Sequence, residues 1–309
     1  MKRRLLLLII PLILLCCAGC KRTAKAPKGR LFGVTFQTMN NPFFVELNQG
    51  IKKVVEAHGD RLVTLDAQWN SLKQRNDISD LILQNASGIF INPVNWQGIK
   101  GSLLQAKSKG LRCIVVDAPV KDKNLVLCQV ASDNVQAGRL AAQALAKVRR
   151  PAKIVILHLS VNKACIDRVQ GFEEEIARYP DMEIINIQEG KGTTEGSRPV
   201  MLDLLGRFPL MNAVFPINDP SALGAISALK SAGRLHDVTV VTVDGSREGV
   251  TAIKAGKMLS TSAQFPKEIG RIAAEAMYQS LEGKTVKTDI KVPVQLITKE
   301  NADAFLAQE

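Results

Sequence analysis

Amide and carboxylate side chains recur where short β-rich runs end, and they are the residues of this chain best suited to chemistry. Gln37, Asn40 and Asn41 follow one run, Asp66 and Gln68 a second, and Asn92 a third. Asp117, Asp133 with Asn134, Asn218 with Asp219, Asp244 and Gln264 continue the series. Such groups donate and accept hydrogen bonds in pairs, which suits a solute rich in hydroxyls. Asp133, Asn134 and Asp219 stand where helix caps belong and are read as caps. Flat apolar faces lie beside the polar groups: Phe43 and Phe44 directly after Asn41-Pro42, and Trp69 and Trp96 in loops after strands. A sugar packs its C–H face on such a surface while its hydroxyls bond to polar neighbours. First-turn core packing explains the phenylalanines equally well, and a partly buried structural role the tryptophans.

Catalytic patterns are missing from the sequence. His58, His158 and His236 are far apart, and no H-E-x-x-H, G-x-S-x-G, Walker or glycine-rich nucleotide fingerprint occurs. Asp117 and Asp244 have acid/base capacity but no partnering nucleophile or metal set in the sequence. The chain therefore reads as a binder and not an enzyme, without cofactor or metal.

The elements that position these residues alternate. Strands are expected at 31–36, 62–66, 88–92, 112–117, 124–130, 153–158, 183–187, 213–217, 238–243 and 259–263. Between them, 43–57, 71–85, 97–109, 134–148, 163–178, 220–232 and 267–282 carry apolar residues at helical spacing. Asn41-Pro42 and Asp219-Pro220 read as caps with first-turn prolines, and Gly59, Gly110 and Gly233 as helix stops. Alternation of this kind means parallel sheets covered by helices. The stretches 31–131 and 133–262 are each long enough for one doubly wound domain, and open sheets of this class bind ligands beyond the carboxyl ends of their strands.

Of 309 residues, 41 are Lys or Arg and 29 are Asp or Glu, a formal charge of +12. Eight of the basic residues and none of the acids fall within residues 1–30, so the remainder carries only +4. Nucleic-acid binding has little support in so mild a balance. Lys2, Arg3 and Arg4, the apolar run 5–18 and small Ala18-Gly19 before Cys20 form a secretory signal over 1–19. The run is interrupted by Pro11 and too short to span a membrane comfortably. The Ala-Gly-Cys ending resembles a bacterial lipobox, with Cys17 where Leu is usual, and makes Cys20 the lipid-anchor candidate. Residues 20–30 then form a solvated tether. Cys113, Cys128 and Cys165 make no metal set, and a Cys113–Cys128 bridge is left open by their spacing.

From residue 31 to 309 the chain resembles the ribose-type periplasmic binding proteins, the solute receptors of sugar ABC importers. The resemblance is carried by TMNNPFF (38–44), INP (91–93), VVD (115–117), ASDN with Gly138, DRVQGF (167–172), VFPINDPSALGAI (214–226), VVTVDG (240–245) and SAQFPKEIG (262–270). It implies an α/β fold of two Rossmann-like, doubly wound parallel-sheet lobes joined by a three-crossing hinge. The first lobe is expected at 31–132 plus 265–292 and the second at 133–264 plus 293–309. Carried over residue by residue, the ligand set is Asn41, Phe43, Phe44, Asp117, Arg168, Asn218, Asp244 and Gln264, with Trp69 or Trp96 as a further wall. Two departures stand out: Ala118 where ribose binders have Arg, and the region around Gly192 where they place a stacking ring. The resemblance implies a monomer that captures a neutral sugar or polyol outside the cytoplasm, held to the membrane by lipidated Cys20. An ABC permease with its ATPase would receive the cargo; the alternative is a receptor presenting a solute to a chemoreceptor or sensor kinase.

Overall fold

The computed structural model describes residues 29–308, so the signal, Cys20 and most of the tether lie outside the described residues. Alternating β-branched and amphipathic segments build two lobes of like design. In the first lobe run β1 (Leu31–Phe36), α1 (Pro42–Ala57), β2 (Arg61–Asp66), α2 (Ser71–Leu83), β3 (Gly88–Ile91), α3 (Lys100–Ser108), β4 (Arg112–Val116) and β5 (Cys128–Ser132). The second lobe takes α4 (Asn134–Val148), β6 (Ala152–His158), α5 (Lys163–Ile176), β7 (Met182–Glu189) and α6 (Thr194–Arg207). It continues through β8 (Ala213–Pro216), α7 (Asp219–Ser231), β9 (Thr239–Asp244), α8 (Arg247–Lys254) and β10 (Ser260–Ala263). The chain then returns as α9 (Pro266–Leu281) and β11 (Asp289–Val292), and crosses back as β12 (Gln295–Ile297) and α10 (Ala302–Leu306).

The sheet orders are β11-β5-β4-β3-β1-β2 and β12-β10-β9-β8-β6-β7, the same winding twice. The strand pairs are parallel except β10 with β12, which is antiparallel. Apolar side chains from both faces of each sheet pack under the helices. The chain passes between the sheets at 132–134, 263–266 and 292–295.

Helix pairs that flank the cleft are held at backbone distance. A Cβ on Gly138 of α4 would stand 1.8 Å from Arg168 O of α5, and one on Gly171 would stand 1.9 Å from Val135 O. Any larger residue there would push α5, and Arg168 with it, out of place. Gly50 of α1 and Gly270 of α9 make the equivalent contact in the first lobe, each Cβ meeting a carbonyl at 2.2 Å.

Several expectations need correction. The segment 124–130 is not one strand: a 3₁₀ turn covers Lys123–Leu125, and β5 starts only at Cys128. Asn218, not Asp219, caps α7, its Oδ1 accepting from Ser221 N at 3.0 Å. Asp133 caps α4, whereas Asn134 is the first helical residue and turns its side chain to Arg168. Cys113 and Cys128 sit in adjacent strands but in apolar clusters on opposite faces of the sheet, so no bridge forms and both are free thiols. Arg30, counted with the tether, is bound to Asp60 through its backbone N–H (2.7 Å) and Nε (3.0 Å), and its guanidinium lies 5.1 Å from the Tyr278 ring centre.

Candidate functional site

A cavity of about 410 Å³, mouth included, lies between the lobes at the carboxyl ends of both sheets. All eight residues of the expected ligand set line it: Asn41, Phe43, Phe44 and Asp117 from the first lobe, Arg168, Asn218 and Asp244 from the second, and Gln264 from a hinge crossing. Trp69 joins them, and Trp96 does not. Trp96 is used differently, since its backbone N–H donates to Val161 O of the opposite lobe at 3.2 Å.

Local chemistry explains each placement. Asn41 ends the β1 loop as the cap of α1, accepting from Phe43 N at 3.0 Å, and so sets both phenylalanines on the first turn. Their rings meet edge to face at 5.3 Å, with Phe44 also 5.8 Å from Phe36 in the core. Phe44 thus serves core and cavity together. Trp69 stands on two successive left-handed residues, Gln68 (φ 54°) and Trp69 itself (φ 58°). That turn is held by Gln68 N on Asp66 Oδ1 (2.8 Å) and Trp69 N on Gln37 O (2.6 Å).

Two carboxylates occupy equivalent places, at the carboxyl end of the fourth strand of each lobe, and both sit on strained backbone. Asp117 has φ 64° inside a three-residue turn closed by Ala118 N on Val116 O at 2.8 Å, and Asp244 has φ 141°. Non-glycine residues in this region cost on the order of 1–3 kcal/mol and concentrate at functional sites. Asn92 donates to Asp117 Oδ2 at 2.9 Å while its own Oδ1 accepts from Gln37 N at 3.1 Å. Asp244 is held more fully: Gln264 Nε2 (2.8 Å) and Arg168 Nη1 (3.4 Å) reach Oδ1, and Asp219 N (3.3 Å) reaches Oδ2. Arg168 is fixed in turn by Asn134 Oδ1 (2.8 Å) and Ile217 O (2.8 Å). Gln264 Oε1 is buried without a protein partner and is available to a ligand hydroxyl.

Asn218 is largely spent on structure, since beyond its cap it donates through Nδ2 to Gly192 O at 3.0 Å. Asp219 is fully buried behind the cavity wall, accepting from Ser246 N, Ser246 Oγ and Thr261 Oγ1, each at 2.8 Å.

Electrostatics follow from burial. Loss of solvent pushes the Asp117 carboxyl up to about 7; Arg168 across the cleft opposes this, Asp244 adds to it, and the Asn92 hydrogen bond opposes it again. Burial and the neighbouring Asp244 push Asp219 up to about 8, and burial likewise raises Asp244 against the pull of Arg168. Cys165, also in the wall, is pushed up to about 12 by burial and stays a neutral thiol. Among the described residues no group of His, Cys, Asp and Glu could hold a metal ion, and no helix is long and apolar enough to cross a membrane.

Leu159, Asn162, Ala164 and Cys165 complete the second lobe's wall and were missed by sequence reasoning. Asn162 caps α5, accepting from Cys165 N at 3.3 Å, as Asn41 caps α1. The position of Asn41 relative to its strand, transferred to the second lobe, is the signal that could have found it.

The family model of the periplasmic binding protein domain matches residues 32–285. The chain belongs to the periplasmic binding protein family, of the ribose type. Ribose import binding protein RbsB of Bacillus subtilis is 34% identical over 269 residues, covering 87% of each chain. A xylitol-binding protein of Mycolicibacterium smegmatis is 30% identical over 294 residues, covering 93% of this chain and 82% of that one. Among solved structures, the arabinose ABC transporter's binding protein from Shewanella sp. ANA-3, bound to α- and β-L-arabinofuranose, superposes with a TM-score of 0.84 at 28% identity, over 90% of this chain and 95% of that one. These relatives are a ribose import binding protein, a xylitol-binding protein and the binding component of an arabinose ABC transporter, so binding of a small solute is what they share.

Proposed function

We propose that this protein captures a small neutral sugar or polyol between its lobes outside the cytoplasm and delivers it to an ABC importer, held at the membrane by a lipid on Cys20. The observation that carries the reading is the cavity lining: carboxylates from both lobes, a buried guanidinium and an unpartnered amide oxygen beside three aromatic side chains. Carboxylates and amides engage vicinal hydroxyls, and rings engage the C–H face between them.

Charge argues for a neutral cargo. Arg168 is matched by Asp244, which leaves no unpaired cation for an anionic solute.

Thermal unfolding against pentoses, hexoses, polyols, nucleosides and amino acids tests the reading. A ligand at about a thousand times its dissociation constant stabilises by roughly 4 kcal/mol, a rise on the order of ten degrees. The expected result is a rise with a neutral sugar or polyol; a rise confined to charged solutes overturns the cargo class. Mass spectrometry of the membrane-extracted protein checks the anchor, with a lipid-modified N-terminal Cys20 expected.

A further inference from the structure

Gln37 is the first residue after β1, is buried, and sits where three hydrogen bonds converge. Its N–H donates to Asn92 Oδ1 (3.1 Å), and Asn92 in turn holds Asp117. Its carbonyl accepts Trp69 N (2.6 Å), which fixes the left-handed turn under that ring. Its side-chain Oε1 accepts from Asn162 Nδ2 of the second lobe (3.4 Å). A carboxylate and a ring of the cavity are therefore connected through one residue to the opposite side of the cleft.

Position in the fold gives this contact leverage. The crossings between lobes lie beside β5 and β11 in one sheet and β10 and β12 in the other, whereas Gln37 follows β1 and Asn162 follows β6, towards the far side of each sheet. Points far from a hinge move most when it opens. Next to Asn162, Val161 O accepts the N–H of Trp96, so a backbone bond joins the lobes at the same end. Asn162 also caps α5 through Oδ1, which reserves Nδ2 for the cross-cleft bond.

We propose that Gln37 is a positioning residue, coupling the first lobe's ligand groups to cleft closure through a Gln37–Asn162 latch. The proposal deepens the sugar-binding reading and rests on it for its affinity readout. The latch sets how readily the lobes close around the cavity that both side chains also line.

The test is a double-mutant cycle of Gln37→Met, which keeps length and removes the acceptor, and Asn162→Ser, which keeps a capping oxygen but cannot reach across. Spin labels on cysteines at exposed Leu83 and Leu210, one in each lobe, report the interlobe distance; the thiols among the described residues are buried. Each single variant should shift the ligand-free distances towards the open form. Each should also weaken sugar binding by about fivefold, a single hydrogen bond's usual net effect. The double variant should be no worse than either single, because both remove one interaction. Unchanged ligand-free distances or additive losses overturn the latch. If no sugar binds at all, the functional reading fails, and the ligand-free distances still decide the latch.

Discussion

The two lobes share one winding order and place equivalent residues at equivalent strand ends, yet they line the cavity with different chemistry. Each sets an asparagine cap after its first strand, Asn41 and Asn162, and a carboxylate on strained backbone at the carboxyl end of its fourth, Asp117 and Asp244. The first lobe follows its cap with Phe43 and Phe44 and adds Trp69; the second follows its cap with Lys163, Ala164 and Cys165 and adds Leu159 and Gly192. Asp117 has one side-chain hydrogen bond from the protein, while Asp244 is gripped by Gln264, Arg168 and the N–H of Asp219. Topology thus decides where ligand groups stand, and the residues of one helical turn decide what they do. The first lobe offers a flat apolar wall with a carboxylate that still has capacity. The second offers a preorganised polar network whose members already hold one another in place.

That contrast can be broken in order of effect. Arg168→Ala should cost most, about 2–4 kcal/mol of binding, because it removes the buried donor and leaves Asp244 without its cation. Titration calorimetry with the identified sugar reads it. Asp117→Ala should cost less, about 1–3 kcal/mol, since only Asn92 is orphaned with it. If Asp117→Ala proved the more damaging, the second lobe's network would not be the dominant one. Trp69→Ala should lose about 1 kcal/mol, with Trp69→Phe recovering most of it, as expected for a ring at the 37% exposed rim of the site.

The smallest effect is with pH, and its sign differs between folding and binding. Burial raises Asp117 to about 7, so the folded chain holds a proton there that the unfolded chain releases near pH 4. This group therefore makes the ligand-free protein less stable as pH rises from about 4 to 7. A sugar hydroxyl donating to the carboxylate favours the ionised form, so affinity should fall, by at most about tenfold per unit, as pH drops below 7. Calorimetry at two pH values, in buffers of different ionisation enthalpy, should show the proton released on binding.

Much of this was legible in sequence because strand periodicity and cap chemistry are local. Ten strands and the helices α1 to α5, α7 and α9 follow from β-branched runs, helical apolar spacing and cap signals such as Asn41-Pro42. The edge strands β11 and β12 were not legible, having only four and three residues, of which Val292 and Ile297 alone are buried. Helix α6 was hidden by Gly196, Pro199 and Gly206, all tolerated within it by tertiary packing. In the site, the eight residues carried over from the family resemblance all line the cavity, whereas Asn40, Asp66, Gln68 and Asn92, named only from strand ends, do not. Asp219 was misread by one position because Asp-Pro mimics a cap, when the capping oxygen belongs to Asn218. Trp69 and Trp96 both follow strands, and only the pairing of the lobes separates the one in the wall from the one whose backbone spans the cleft.

The most direct measurement is a crystal structure of the protein with the sugar or polyol selected by thermal unfolding. The account predicts one molecule between the lobes, its hydroxyls within hydrogen-bond distance of Asp117 and Asp244 together and its C–H face on the first lobe's rings. A ligand held by one lobe alone, or seated elsewhere, would contradict it.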